Sequence, residues 1–427
     1  MSEVLQPFSG DLLQRAALAA RLTPFVDQLK AGGTIGIDAP WGEGKTWFGQ
    51  HWKAKLQADG HKVAYIDAFA HDFVDDPFLL VAAELSTLLQ GASATSAIAK
   101  KAGGVMRSLA PLATKAVINL SGRVLMGVGN LEGEISEAVK AATEASAGKA
   151  EKWLEKAVAS FEAEKRSLRA FRATLAEAVG KEEKRVVVLI DELDRCRPSF
   201  AVSMLERIKH LFDVENLVIV LLLNRDQLEK AIRGVYGEGL DGAAYLGKFV
   251  NVWFDLPIAH VGDPEVNGNN VGPFIMATLK ATDDDIGAFG DDMALWAKTL
   301  RMSLRDLERS SFLFLAARAS TAYVPLLAYL IALKIKRPET FRAIRVHDRE
   351  THRQCAEWLD QLVTDADRWP GRLLIILSSL HQHLIGEKLD ASHQDAWNKD
   401  FRRVINSSNP ERAISFLSDL IDLPLGR

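Results

Sequence analysis

Three short apolar runs limit what this chain can fold into more than any other feature. Thr34–Asp38 (TIGID), Arg185–Asp191 (RVVVLID) and Leu217–Leu223 (LVIVLLL) are continuous and do not alternate. A strand wetted on one face alternates apolar and polar residues. A continuous run needs cover on both faces, which is the condition of a parallel sheet. Lys62–Ala68 (KVAYIDA) and Phe249–Leu256 read as two further strands, the last closed by Pro257. Helical periodicity lies between them: Leu12–Leu29 with Asp11 as its N-cap, Lys45 to Gln57, and Ser199–Leu211. Strands alternating with helices predict an α/β doubly wound sheet.

Outside these runs the pattern changes. From Ala92 to about Gly180 the chain is rich in Ala, Ser, Lys and Glu, and strand-like runs are absent, which predicts a helical insertion. From Asp291 onward the pattern is helical throughout. No stretch reaches the roughly 18 apolar residues of a membrane span. Ala319–Leu333 is uncharged but short and reads as a buried helix. Gly103–Leu131 is interrupted by Arg107, Lys115 and Arg123 and reads as amphipathic. A net charge of -4 gives no general attraction to nucleic acid or anionic lipid. The two cysteines, Cys196 and Cys355, do not make a disulfide framework, so a reducing cytosol is expected. Met1–Gly10 has no signal-peptide pattern.

The chemistry concentrates at strand ends. Pro40-Trp41-Gly42-Glu43-Gly44-Lys45-Thr46 joins the first strand to a helix. A Gly-rich link there curls its N–H groups toward phosphate oxygens, and the helix start adds a positive dipole end. Lys45 would reach the β- and γ-phosphates, and Thr46 would ligate magnesium. The full pattern has glycine five residues before Gly44. Ala39 stands there, and it fits only if its φ is not forced positive. A buried strand ending in Asp191-Glu192 supplies two carboxylates. Asp191 would hold magnesium through water, and Glu192 would orient or deprotonate the attacking water. Asn224, ending the LVIVLLL strand, either senses the γ-phosphate or forms a turn before Arg225-Asp226. Arg301, Arg305 and Arg309 are spaced to share one helix face. Either one of them reaches the nucleotide, or the face is solvated and paired with Asp306 and Glu308. Lys248 is a weaker candidate, acting toward a neighbouring subunit. His381 and His383 diverge on a helix and do not suggest zinc, nor does Cys196.

These residues resemble a known family. Asp191-Glu192-Leu193-Asp194-Arg195-Cys196, followed by Pro198, is similar to the extended acidic motif of KAP-type P-loop NTPases, which usually carry two aspartates at its start. Trp41 to Thr46 resembles their tryptophan-containing phosphate loop. Asp11 and Arg15 resemble the N-terminal helix near the nucleotide base, and Ile66-Asp67-Ala68-Phe69 a second strand. Tyr245 to Phe249 and Phe254 to Pro257 resemble the end of the nucleotide domain. Leu304-Arg305-Asp306 resembles the lid, with Arg305 at the lid arginine.

The resemblance implies an ASCE/AAA+-like P-loop NTPase that takes ATP and Mg2+. Its nucleotide-binding residues would be Pro40, Trp41, Gly42, Glu43, Gly44, Lys45, Thr46, Trp47, Asp11 and Arg15. Thr46 and Asp191 would serve the metal, and Glu192, Lys45, Asn224 and Arg305 catalysis. The expected division is a core in two parts (residues 1–91 and 181–290), a helical insertion (92–180), a lid (291–340) and a C-terminal helical region (341–427). Family members commonly insert membrane spans between the two motifs, whereas this insertion lacks one. The expectation is a cytoplasmic ATPase switch, with peripheral contact at the inner membrane face left open. Bacterial members include proteins that exclude bacteriophage, which implies a protein partner or phage-derived trigger. A homo-oligomer is compatible with the resemblance. The alternatives are a nucleotide-holding scaffold without turnover, or a membrane-surface effector acting through the insertion.

Overall fold

A computed structural model describes residues 5–74, 76–89, 166–211, 214–257, 270–281, 284–318, 324–405 and 409–422. Most of the expected helical insertion, including Gly103–Leu131, lies outside the described residues, as do residues 319–323 at the start of the Ala319–Leu333 run.

Five strands form one sheet among the described residues: β1 (Gly33–Asp38), β2 (Lys62–Asp67), β3 (Val186–Asp191), β4 (Leu217–Leu223) and β5 (Val252–Asp255). They pair in parallel in the order β2-β3-β4-β1-β5. β3 and β4, in the interior, are buried at every residue. The edge strands β2 and β5 are only partly covered.

Period-two alternation sends successive side chains to opposite faces and so builds two cores. Val186, Val188 and Ile190, with Ile219, Leu221 and Leu223, face one core. Phe171, Met204 and Leu228 close it, from residues 166–179 and from helices Pro198–Ile208 and Arg225–Tyr236. Val187 and Leu189, with Val218, Val220 and Leu222, face the other. There they meet helices α1 (Arg15–Gln28) and α2 (Lys45–Ala58) through Leu22, Val26, Phe48 and Trp52.

Three sequence expectations need correction. The first helix begins at Arg15 and not at Leu12, because Gln14 takes a left-handed φ of 54° that stops the helix from extending backward. Asp11 closes a turn there, accepting the Leu13 N–H at 3.1 Å. The last strand is shorter than Phe249–Leu256. Phe249 and Val250 donate their N–H groups back to the Leu246 carbonyl at 2.9 and 3.1 Å, in a turn following helix Gly242–Leu246. Arg301 has φ 48° and precedes the helix Leu304–Arg318, so the three arginines do not share one helix face.

By its contacts the chain divides into two compact units. One comprises Met1–Ser9, Arg15–Pro40 and Lys45–Pro257; the other comprises Gly10–Gln14, Trp41–Gly44 and Ile258–Arg427. The second unit is helical over its described C-terminal part. Its helix Val324–Lys336 buries every residue from Leu326 to Leu333, as expected of an apolar helix surrounded by others. Helix Leu304–Arg318 starts with a reciprocal cap. The Ser303 N–H donates to Asp306 at 3.0 Å, and the Asp306 N–H donates to Ser303 Oγ at 3.2 Å. Asp306 also pairs with Lys336 at 3.1 Å.

A polar chain is sealed inside this unit. His352 Nδ1 and His381 Nδ1 are 2.7 Å apart, and His381 Nε2 is 2.9 Å from the Tyr329 hydroxyl. Two ring nitrogens facing each other share one proton, so His352 and His381 are one donor and one acceptor. Burial pushes His352 down to about 4 and His381 well below the usual histidine range. Among the described residues no helix is long and apolar enough to cross a membrane.

Candidate functional site

The site is built where parallel strands end. β1 runs into Ala39, whose N–H donates to the Leu223 carbonyl at 3.2 Å. Ala39 is not among the residues with positive φ, so a side chain is accommodated where the sequence pattern has glycine. Gly42 and Gly44 do carry positive φ, 90° and 79°, which a residue with a Cβ adopts only under strain.

Lys45 opens α2 and is only 7% exposed. Its ammonium donates to the Ala39 carbonyl at 2.6 Å and the Pro40 carbonyl at 3.1 Å. Burial pulls its pKa down, against the carboxylates of Asp194 and Asp191. Thr46, next on the helix, is exposed, and its side chain is close enough to Asp191 to act on its carboxylate.

Asp191 ends β3 and is 1% exposed. One carboxylate oxygen accepts the Tyr65 hydroxyl at 2.6 Å, and the other accepts the Glu192 N–H at 2.9 Å. Burial pushes its pKa up, and the Tyr65 hydroxyl, the nearby Thr46 side chain and the Glu192 N–H pull it back. Burial and the Asp191 charge hold the Tyr65 phenol firmly protonated.

Glu192 turns the chain out of the strand with a left-handed φ of 60°, a costly conformation that is found at functional turns. Its carboxylate pairs with Arg195 at 2.8 Å. Burial raises its pKa, and Arg195 opposes the rise. Cys196, at the end of the same turn, is an inert thiol that burial pushes up to about 12.

Asn224 follows β4, the strand between β1 and β3. Its side-chain oxygen accepts the Gln227 N–H at 3.3 Å and caps helix Arg225–Tyr236. Arg15 is 2% exposed and donates to the Pro257 carbonyl. Trp47 is partly covered, lying against His51 with ring centres 4.0 Å apart and meeting Phe8 edge-on at 5.9 Å. The Lys248 ammonium stands over the Tyr245 ring at 5.3 Å.

The remaining predicted residues belong to the second unit. There the Arg305 N–H donates to the Gly42 carbonyl at 3.2 Å, while the Arg305 side chain is exposed. A Cβ on Gly42 would stand 2.9 Å from both Arg305 Cβ and Ser303 Oγ, so the backbones meet where only glycine fits. Trp41 is exposed and Glu43 is buried.

Thr46 and Asp191 offer oxygen ligands, which suit a hard cation such as magnesium. Among the described residues no three His, Cys, Asp or Glu side chains form a metal cluster. A magnesium ion here would therefore take most of its oxygens from phosphate and water, its usual habit.

Two residues escaped the sequence reading. Tyr65 looks like packing on a half-buried strand, and only the β2–β3 pairing brings it to Asp191. Arg195 stood in the motif as a signature residue, although its spacing of three from Glu192 on a tight turn permitted the ion pair.

No curated protein matches the chain. The model of the KAP family P-loop domain matches residues 15–310, more than half of the chain, and spans the loop, the acidic strand and helix Leu304–Arg318 up to residue 310. With a parallel sheet in the order described and a lysine-bearing loop beside a buried aspartate, the chain belongs to the KAP family of P-loop NTPase domains.

Proposed function

We propose that this protein is a magnesium-dependent ATPase working as a nucleotide-driven conformational switch. The placement of a buried lysine carries the reading: Lys45 opens the helix after the glycine loop and feels the charge of Asp191, which ends the buried strand β3. Magnesium held by Thr46 and, through water, by Asp191 would neutralise charge on the β- and γ-phosphates. Lys45 would exchange the Ala39 and Pro40 carbonyls for phosphate oxygens. Glu192 would leave Arg195, orient a water at the γ-phosphorus and take its proton as the bond to ADP breaks. Asn224 and Arg305 would read the γ-phosphate. Nucleotide shifts such a switch only by its difference in affinity for the two states. A role in phage exclusion, with a protein or phage-derived trigger, rests on the family resemblance alone.

The test is phosphate release from ATP by wild-type, Lys45→Ala and Glu192→Gln proteins, in magnesium and in EDTA. Magnesium-dependent release that both substitutions abolish supports the reading, and full release by Glu192→Gln overturns the role of Glu192. A second reading, nucleotide held without turnover, is favoured by the Glu192–Arg195 ion pair, which keeps the base occupied. Under it the wild type binds ATP without releasing phosphate.

A further inference from the structure

We infer that Tyr65 is a positioning residue for magnesium, its hydroxyl fixing the Asp191 carboxylate in the one orientation that receives the metal's water. The inference rests on the nucleotide reading of the site and adds a residue to it.

β2 and β3 are paired so that Tyr65 lies opposite Leu189, two residues before Asp191. Residues two apart on a strand share a face, so the register brings Tyr65 to the side of the sheet where Asp191 meets α2. The ring has little freedom. Gly49 of α2 leaves the space it occupies: a Cβ on Gly49 would lie 3.2 Å from Tyr65 Cε2 and 2.4 Å from Leu222 Cδ1. The Lys53 ammonium is 5.8 Å from the ring centre. The Gln50 side chain lies close to the hydroxyl, which donates to Asp191 at 2.6 Å.

A carboxylate offers about four lone-pair directions. At Asp191 the Tyr65 hydroxyl takes one direction on one oxygen and the Glu192 N–H takes one on the other. A metal-bound water would use one of the directions that remain. Without the Tyr65 hydroxyl, one carboxylate oxygen loses its named anchor and the group can turn. Outer partners of this kind typically set metal affinity or activity by about 10- to 100-fold.

The experiment titrates magnesium while following a fluorescent ATP analogue bound to wild-type, Tyr65→Phe, Gln50→Leu and Asp191→Asn proteins, with EDTA as the metal-free arm. Tyr65→Phe keeps the ring and should bind the analogue in EDTA within about twofold of wild type, while its magnesium midpoint rises about tenfold. Gln50→Leu should shift the midpoint in the same direction by a smaller factor. It decides the question if Tyr65→Phe does not fold. Adding Tyr65→Phe to Asp191→Asn should change nothing further, since the two act through one contact. An unchanged midpoint in a folded Tyr65→Phe protein overturns the inference and leaves the nucleotide reading intact. A wild type whose binding ignores magnesium overturns the metal reading itself, and the role of Tyr65 with it.

Discussion

The protein buries two polar centres, and they differ in kind. At the strand ends, Lys45, Asp191 and Glu192 bring unlike charges together, and the exposed Thr46 joins them to the surface. In the helical unit, His352, His381 and Tyr329 are all within about 1% of full burial and hold neutral groups. Burial shifts titrations in both. Only the first centre keeps charge and an accessible member, and chemistry on a phosphate needs both. Buried polarity by itself therefore does not mark a site. The second centre is better understood as a packing device, whose hydrogen bonds specify how three helices meet.

The sharpest way to break this contrast is Glu192→Gln. We expect phosphate release to fall about 10²- to 10⁴-fold, with ATP affinity and melting temperature little changed. A lower melting temperature with unchanged release would make the strand-end centre a packing device as well.

The histidine centre should respond to acid instead. Both histidines have pKa values below the unfolded value, so the unfolded chain takes up protons first. Their contribution is complete above about pH 6.5 and is lost as the pH falls toward about 4. The helical unit should melt several degrees lower at pH 5 than at pH 7.5, and His352→Phe should flatten that slope. An unchanged slope in the variant would remove His352 as its cause.

Arg195→Gln tests the ion pair within the first centre. Arg195 holds the Glu192 pKa down against burial, so its loss should move the acid limb of phosphate release upward. Release at pH 8 should be retained, and release at pH 6 should fall a few-fold. The smallest expected effect separates two roles of Asn224. Aspartate caps a helix as well as asparagine does but cannot donate to phosphate. Asn224→Asp should melt like wild type and release phosphate several-fold more slowly. Equal release would leave Asn224 as a helix cap only.

The sequence revealed those parts of the site that are local. β4 came out with the bounds Leu217–Leu223, because an uninterrupted apolar run has few alternatives. The loop and the acidic strand end were legible for the same reason, each being a contiguous segment. What stayed hidden was pairing between distant segments. Tyr65 meets Asp191 across 126 positions, and His352 meets His381 across 29. Backbone turns also escaped notice. Nothing about Gln14 or Arg301 as residue types announces a left-handed φ, yet each ends a helical stretch. The shortened β5 followed from Phe249 and Val250, which are apolar enough for a strand but spend their N–H groups in a turn.

The strand order sets a gauge for the whole site. β4 lies between the strand that feeds the loop and the strand that carries Asp191. Neighbouring strands stand about 4.8 Å apart, so those two ends begin about 10 Å apart before any side chain extends. That span is fixed by main-chain hydrogen bonds, which any apolar residue of suitable shape can maintain. The interior of the sheet can drift in identity while the span holds. A slip of one residue between β3 and β4 would instead move Asp191 by about 3.3 Å and turn it to the opposite face. Inheritance in such a chain would preserve the alignment of its strands more strictly than the letters that compose them.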